Sequence, residues 1–192
     1  MSASYGKILL GFMSNLDDVF FNLVLNLLPD DVLSDSYFRP RLARLLGLRC
    51  GPEAQIRRKI FYEDHRRIVL GTNVHLNRQT YLDGGGGIRI GDNVRFGPQV
   101  TLVTGSHETG DASMRTGQLV YKPIVIGDGC WVGARVYIGP GVTIGNGSII
   151  SAGAVVQRSM PANVLIAGNP ARPVSQLERP GLSPETATPP RP

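Results

Sequence analysis

Between residues 126 and 155, a branched apolar residue recurs at every sixth position and opens each of five consecutive blocks. The second position of a block is glycine four times and serine once, and the fifth position always holds a small residue. A period of six fits neither an α-helix nor a simple strand alternation; it is typical of a β-helix, in which three short strands form each coil. The opening side chains are therefore predicted to fill the interior, and the glycines to lie at crowded corners.

The same repeat extends towards the N-terminus in a less regular form, between residues 50 and 100. Its phase slips by two residues at the glycine run 84–87, which predicts a widened corner. Over residues 104–123 a polar stretch with several glycines replaces the repeat. A loop of this length inside a tight repeat is usually functional. We therefore predict an all-β fold, a β-helix domain over residues 48–175 with a protruding loop.

The chain before the repeat has an apolar pattern of helical period. Apolar residues share one face over residues 14–28, and Pro29 ends the pattern. A second short helix is predicted over residues 41–46, with Pro40 at its start. Together they predict a helical cap over residues 1–47, because the open end of a β-helix has to be covered.

Membrane contact through the first helix is the weaker alternative. Its polar face carries Asp17, Asp18 and Asn22, whereas a helix that lies on a membrane surface usually carries Lys or Arg there. These polar residues also interrupt the apolar run, so it cannot span a bilayer.

Charge is distributed unevenly along the 192 residues, whose formal net charge is +5. Residues 39–67 hold nine Lys or Arg and three acidic residues. Such a belt indicates either an anionic partner or a solvated face, and both interpretations stay open. No aromatic stacking platform or groove-reading motif accompanies it, so no nucleic-acid partner is predicted.

The cysteines and the terminal segments give predictions about the cellular compartment and about order. Cys50 and Cys130 fall at small, inward positions, which predicts buried thiols and a reducing, cytoplasmic location. The N-terminus lacks the basic and apolar regions of a cleavable signal. Residues 176–192 are rich in Pro, Ser, Thr and Glu, which predicts a disordered tail.

The three histidines are the main candidates for chemistry. His65 stands beside two arginines and is predicted at the surface, and His75 falls at a non-core position of the repeat. His107 opens the long loop, where an imidazole that titrates near neutrality suits general-base catalysis. A zinc site of three histidines would need two near one loop and a third about two coils away, and His107 has no partner within its loop or across from it, so no metal is predicted.

The residues resemble the hexapeptide-repeat O-acetyltransferases, a family that includes maltose, galactoside and polysaccharide-pathway acetyltransferases. The resemblance covers residues 70–174, and the spacing from Asn77 to His107, Trp131 and Arg172 matches the family without gaps. It implies a left-handed parallel β-helix, acetyl-CoA as the donor and a homotrimer with its sites between subunits. The segments that carry it are Leu76–Asp83, Ile90–His107, His107–Pro123, Ile126–Gly133 and Ala167–Arg172.

The resemblance also implies a role for each matching residue. His107 matches the general base that takes the proton from the acceptor hydroxyl. The other matches are Asn77 and His75 on the acceptor side, Trp131 near the acyl group, Ala134 with its N–H towards the thioester oxygen, Ala152 and Gln157 along the pantetheine channel, and Arg172 near the phosphates. At His75 and Gly85 the sequence departs from the residues usual in the maltose and galactoside enzymes, which leaves the acceptor open.

The sequence thus predicts an acetyl-CoA-dependent O-acetyltransferase that acts on a hydroxyl of a sugar or glycan precursor. Direct attack on the thioester would need no covalent enzyme intermediate. Transfer to an amino group or a drug-like alcohol, a catalytically silent structural β-helix and a zinc-dependent hydratase are the alternatives.

Overall fold

In the computed structural model of the chain, which describes residues 16–177, the six-residue blocks form the coils of a parallel β-helix. Each coil gives one strand to each of three sheets. The first sheet contains β1 (Arg49–Cys50), β4 (Ile68–Leu70), β7 (Ile88–Ile90), β12 (Ile124–Ile126) and β15 (Thr143–Ile144). The second contains β2 (Gln55–Ile56), β5 (His75–Leu76), β8 (Arg95–Phe96), β13 (Trp131–Val132), β16 (Ile149–Ile150), β18 (Val164–Gly168) and the antiparallel β19 (Ala171–Gln176).

The third sheet contains β3 (Phe61–Glu63), β6 (Tyr81–Asp83), β9 (Thr101–Val103), β14 (Tyr137–Ile138) and β17 (Val155–Val156). In place of the predicted loop, β10 (Gly105–Thr109) and β11 (Thr116–Tyr121) form an antiparallel hairpin that leaves the coil after β9. The predicted parallel β-helix with a protruding segment is confirmed. The predicted tail lies outside the described residues from position 178 on.

The core follows the period of the sequence. The residues that open the blocks, such as Val132 and Ile138, are buried, and so are the small residues at the fifth position. Fully burying one such side chain stabilises the fold by about 1.5–3 kcal/mol. A Cβ on Gly133 would lie 2.6 Å from the backbone nitrogen of Ala152 in the next coil, so the close stacking of coils requires glycine at this corner.

Two helical segments cover the N-terminal end of the β-helix. Helix α1 spans residues 16–27 of the described chain. The second segment is helical from residue 32 and contains a π-helical turn, Ser34–Phe38, followed by helix α2, Arg39–Leu45. Pro40 is the second residue of α2, which agrees with the prediction that it stands at the start of this helix. The helical segment begins earlier than predicted, because the π turn precedes Arg39.

Helix α1 is attached by its polar face. Asp18, Asn22 and Asn26 are spaced by four residues, and their side chains bond to the backbone of residues 59–65. Asn22 accepts from the Tyr62 N–H at 2.9 Å and donates to the Tyr62 carbonyl at 2.7 Å. Since β3 is the edge strand of the third sheet, this ladder satisfies backbone groups that the sheet leaves unpaired.

The ladder reverses the expected orientation of α1. Phe21 and Leu25 pack into the core, but most of the apolar face is turned away from the β-helix. The predicted apolar cap is therefore correct in place and wrong in orientation. No helix within residues 16–177 is long and apolar enough to cross a membrane.

Two polar residues of the basic belt are buried in this end of the molecule. The prediction that His65 lies at the surface is wrong, because the 3₁₀ turn His65–Arg67 directs its ring inward, where it stacks on Phe21. Its Nδ1 lies 2.6 Å from Asp18 Oδ1, and its Nε2 lies 3.1 Å from the Leu46 carbonyl oxygen. Arg39 is also buried. Of the two thiols predicted to be buried, Cys130 is buried and Cys50 is partly buried against the core.

Candidate functional site

His107 lies on the exposed face of the hairpin. It pairs with Leu119 across the two strands, and its Nδ1 donates to the Gly117 carbonyl oxygen at 3.0 Å. A proton held on Nδ1 leaves Nε2 with a free lone pair. The hairpin therefore presents an imidazole with Nε2 able to accept a proton, which is the arrangement that a general base needs.

A buried carboxylate fixes the base of this hairpin. Asp83 accepts from the backbone N–H groups of Thr104 at 3.0 Å, Gly105 at 2.9 Å and Gly85 at 3.0 Å. The Thr104 hydroxyl donates to the Asp83 carbonyl oxygen and accepts from the Gly86 N–H. This anchor was not among the predicted site residues, although an aspartate directly before a glycine run is a signal for it. The widened corner predicted at residues 84–87 is confirmed, and it supplies two of these N–H groups.

Two of the predicted site residues share the outer face of the second sheet. His75 lies opposite Arg95, and Arg95 lies opposite Trp131, so His75 and Trp131 are two strands apart, about 10 Å. Burial, and then the charges of Arg57 and Arg95, lower the pKa of His75. Its Nε2 is buried without a hydrogen-bond partner among the described residues. Trp131 is 56% exposed and free to line a ligand.

Three other predicted residues lie at the corner between the second and third sheets. Asn77 follows β5, Ala134 follows β13 and Ala152 follows β16. Ala134 and Ala152 stack on successive coils, because the Gly153 N–H donates to the Ala134 carbonyl at 2.8 Å. The corner thus presents small side chains and backbone groups along a line parallel to the helix axis.

The remaining two residues lie towards the C-terminal end of the β-helix. Gln157 follows β17 and is exposed. Arg172 lies on β19, also exposed, with Nη1 donating to the Ala171 carbonyl at 2.8 Å. An exposed guanidinium with further donors can bind an anion.

Within one chain these parts lie apart. The corner that carries Asn77 and Ala134 precedes the strands of the third sheet, and the hairpin that carries His107 follows β9 at their other end. From Pro98 at the corner to Thr104 at the hairpin base, the chain runs roughly 20 Å at about 3.3 Å per residue. The roles assigned to these residues stay predictions.

A cleft of about 720 Å³ lies between α1, the third sheet and the hairpin base. Its polar lining includes Glu63, Tyr81 and Tyr121, and its apolar lining includes Val19 and Leu23. The Tyr81 hydroxyl donates to the Glu63 carboxylate, and burial followed by this bond raises the pKa of Tyr81. This cleft was not predicted from the sequence.

The described part of the chain holds no group of three or more His, Cys, Asp or Glu side chains placed to bind a metal ion. The zinc alternative therefore gains no support within residues 16–177.

Comparisons with known proteins agree with the fold. Residues 123–158 match the family model described as bacterial transferase hexapeptide (six repeats). The chain is 32% identical to the galactoside O-acetyltransferase of Escherichia coli over 139 residues, 72% of this chain and 68% of that protein. The chain spans between 55% and 68% of the length of the first curated relatives it matches.

Solved structures of hexapeptide-repeat acetyltransferases also resemble this chain. A maltose O-acetyltransferase from Clostridium difficile superposes with a TM-score of 0.76 at 30% identity, over 88% of each chain. A hexapeptide-repeat acetyltransferase from Vibrio cholerae, crystallised with acetyl coenzyme A, superposes with a TM-score of 0.74 at 29% identity, over 85% of this chain and 86% of that one. These findings confirm the predicted fold class, a parallel β-helix built from hexapeptide repeats. The chain belongs to the hexapeptide-repeat acetyltransferase family.

Proposed function

We propose that this chain is an acetyl-CoA-dependent O-acetyltransferase that moves an acetyl group to a hydroxyl of a sugar or glycan precursor. The observation that carries the proposal is His107, whose Nδ1 bond to Gly117 leaves Nε2 free on the exposed side of a firmly anchored hairpin. The family supports it through the galactoside and maltose enzymes and through the acetyl coenzyme A bound to the Vibrio relative.

In the proposed reaction, Nε2 of His107 takes the proton of the acceptor hydroxyl as the hydroxyl oxygen attacks the thioester carbonyl carbon. The carbonyl electrons move onto the oxygen, where the Ala134 N–H stabilises the negative charge. The intermediate collapses as the carbon–sulfur bond breaks, and the coenzyme A sulfur takes the proton from the imidazolium. The thioester is already activated, so positioning both substrates supplies much of the remaining rate enhancement.

The other residues are assigned to binding. Trp131 lines the acyl end, Ala152 and Gln157 line the pantetheine channel, and Arg172 meets the phosphates as a fixed positive charge. Asn77 and His75 hold the acceptor, and the lowered pKa of His75 favours its neutral form. This reaction draws on acetyl-CoA, so a cytoplasmic location stays part of the proposal.

The experiment that tests this function is turnover of acetyl-CoA, followed as released thiol, with a panel of free sugars, nucleotide sugars, glycolipid precursors, amino sugars and hydroxylated antibiotics. We expect one class of sugar hydroxyl to raise thiol release above the hydrolysis background and to yield an alkali-labile acetyl ester. An alkali-stable acetamide would instead indicate N-acetylation. The absence of both turnover and coenzyme A binding in calorimetry would identify a structural β-helix.

We further propose that the active unit is a homotrimer. The support is the separation of His107 from Asn77 and Ala134 within one chain, which a second copy in a closed cyclic assembly can remove. Sedimentation equilibrium is expected to give three times the chain mass of 20.7 kDa. A monomer at micromolar concentration would contradict both the trimer and a site shared between subunits.

A further inference from the structure

The outward face of helix α1 is apolar and continues into the cleft. Val19 and Leu23 are 62% and 57% exposed, and they form one stripe with Leu16, Phe20 and Leu27. Val19 and Leu23 also line the cleft. A stripe of this kind is unusual on the surface of a soluble domain, and contiguous exposed apolar surface typically marks a binding site.

The opposite wall of the same cleft is polar. It contains the carboxylate of Glu63 and the phenols of Tyr81 and Tyr121. Carboxylate oxygens accept hydrogen bonds from hydroxyl groups, and phenol rings offer both a hydrogen-bonding group and a flat apolar surface. One side of the cleft thus suits a polyhydroxylated group and the other suits a hydrocarbon chain.

The cleft also lies on the histidine side of the hairpin. Gly105 pairs with Tyr121 and His107 pairs with Leu119, and these two pairs lie on the same face because side chains alternate along a strand. A Cβ on Gly105 would lie 3.2 Å from the Tyr121 ring and 3.4 Å from Asp83 Oδ2, both of which line the cleft. His107 follows two residues later on that face, about 7 Å along the strand.

From these three features we infer that the cleft binds the acceptor and that the acceptor is an amphiphile, a glycan carrying an alkyl or prenyl chain. The hydroxylated part lies against Glu63, Tyr81 and Tyr121, within reach of the hairpin, and the chain lies along the apolar stripe of α1. This inference rests on the proposed function, since it names the acceptor class of the same transfer reaction. The continuity of the stripe with the cleft through Val19 and Leu23 is the argument for a lipid chain as the occupant.

The test compares methyl and octyl β-glycosides of galactose and maltose, used below their micelle concentrations. Calorimetry measures their binding to the intact chain, and thiol release measures their use as acceptors. Complete burial of one methylene group favours binding about fourfold, and we expect about two to three of the methylenes that distinguish octyl from methyl to be buried along the stripe. We therefore expect octyl glycosides to bind roughly 10- to 100-fold more tightly than methyl glycosides, and kcat/KM to rise in parallel.

Two variants test whether the alkyl chain binds along the apolar stripe of α1. The double variant Val19→Ser, Leu23→Ser should lose about tenfold of the octyl advantage, while the affinity for methyl glycosides and for coenzyme A stays unchanged. Both side chains are already exposed, so the changes spare the core. Leu45→Ser is the matched control, since Leu45 is 82% exposed on α2 and does not line the cleft.

Equal binding of methyl and octyl glycosides, or an octyl advantage that survives in the double variant, would overturn the inference. A fall in the sedimentation mass of the double variant would also overturn it, because the stripe would then be a contact between copies of the chain. The binding measurement separates the two proposals. Chain-length-dependent binding without any acetyl transfer would refute the proposed function and leave the amphiphile site in place.

Discussion

Replacement of His107 by alanine is expected to lower kcat by about 10²- to 10⁴-fold, the usual cost of removing a general base. An alcohol is a weak nucleophile at neutral pH, so removal of its proton during attack governs the barrier. The hairpin offers Nε2 of His107 for this task, because Nδ1 is held by the Gly117 carbonyl. Steady-state kinetics with an acceptor that the wild-type chain uses provides the measurement.

Two further readouts distinguish loss of a base from loss of structure. Coenzyme A affinity should stay nearly intact, because His107 is assigned to the acceptor side. In the wild-type chain, kcat/KM should rise with pH as the base loses its proton, and this rise should be absent in His107→Ala.

Ser106→Ala is the matched control for this prediction. Ser106 is the exposed neighbour of His107 on the other face of the hairpin, opposite Val120, so its loss should leave kcat unchanged. Full turnover by His107→Ala with a verified acceptor would refute the assignment, and His75 would then be the next candidate.

The coils were predictable because their packing requires the same types of residue to recur every six positions. Each branched residue that opens a block fills the interior, and each glycine, such as Gly133, lies where a side chain would strike the next coil. The end of the repeat at residue 104 likewise located the protruding segment and His107. Periodicity specified where the chain leaves the coil, but not that the segment pairs with itself as a hairpin.

The orientation of α1 could not be read from its own sequence. A helical wheel shows an apolar face on α1, and hydrophobicity alone predicts that this face packs against the core. The deciding partner is the unpaired edge of β3, whose backbone groups need polar side chains, and Asp18, Asn22 and Asn26 supply them at matching spacing. The position of that edge depends on the rest of the fold. Which face of α1 contacts the β-helix therefore cannot be predicted from the sequence of the helix alone.

The candidate site was predictable residue by residue but not as a whole. The spacing along the chain relates Asn77 to His107, yet the strands of the third sheet lie between the two residues within one chain. The positions of residues in a sequence do not show whether they meet within one chain or between two copies of it. The cleft beside α1 was missed for the same reason, because Glu63, Tyr81 and Val19 converge only after the helix has docked.

Replacement of Arg39 by alanine is expected to destabilise the fold by about 3–5 kcal/mol, the range for removing one partner of a buried ion pair. Arg39 is 1% exposed and its guanidinium pairs with the buried Asp35. It also donates to the carbonyl oxygens of Leu25 at 3.0 Å and Ile56 at 2.9 Å. The variant would leave a buried carboxylate with one fewer partner and backbone carbonyls without any, and both cost free energy.

The position of these hydrogen bonds indicates which part of the molecule should unfold first in the variant. Besides Leu25, the carbonyl oxygens of Leu28 and Pro29 accept from Arg39 at 3.0 and 2.7 Å, so the guanidinium ties the C-terminal end of α1 to the first coil. Arg39→Lys should recover little, because an ammonium group cannot reproduce the fork of five donors. Denaturant unfolding at fixed protein concentration measures the loss, and circular dichroism should show helix α1 melting first.

Arg41→Ala is the control that separates a buried arginine from an exposed one. Arg41 lies half a turn further along α2, where it stacks 3.5 Å above the Tyr37 ring at the surface. An exposed cation–π contact contributes about 0.5–1 kcal/mol, so its loss should barely move the free energy of unfolding. Comparable losses in the two variants would show that the Arg39 bonds do not hold α1 on the β-helix. A selective loss in Arg39→Ala would instead place this buried guanidinium among the contacts on which the cleft beside α1 depends.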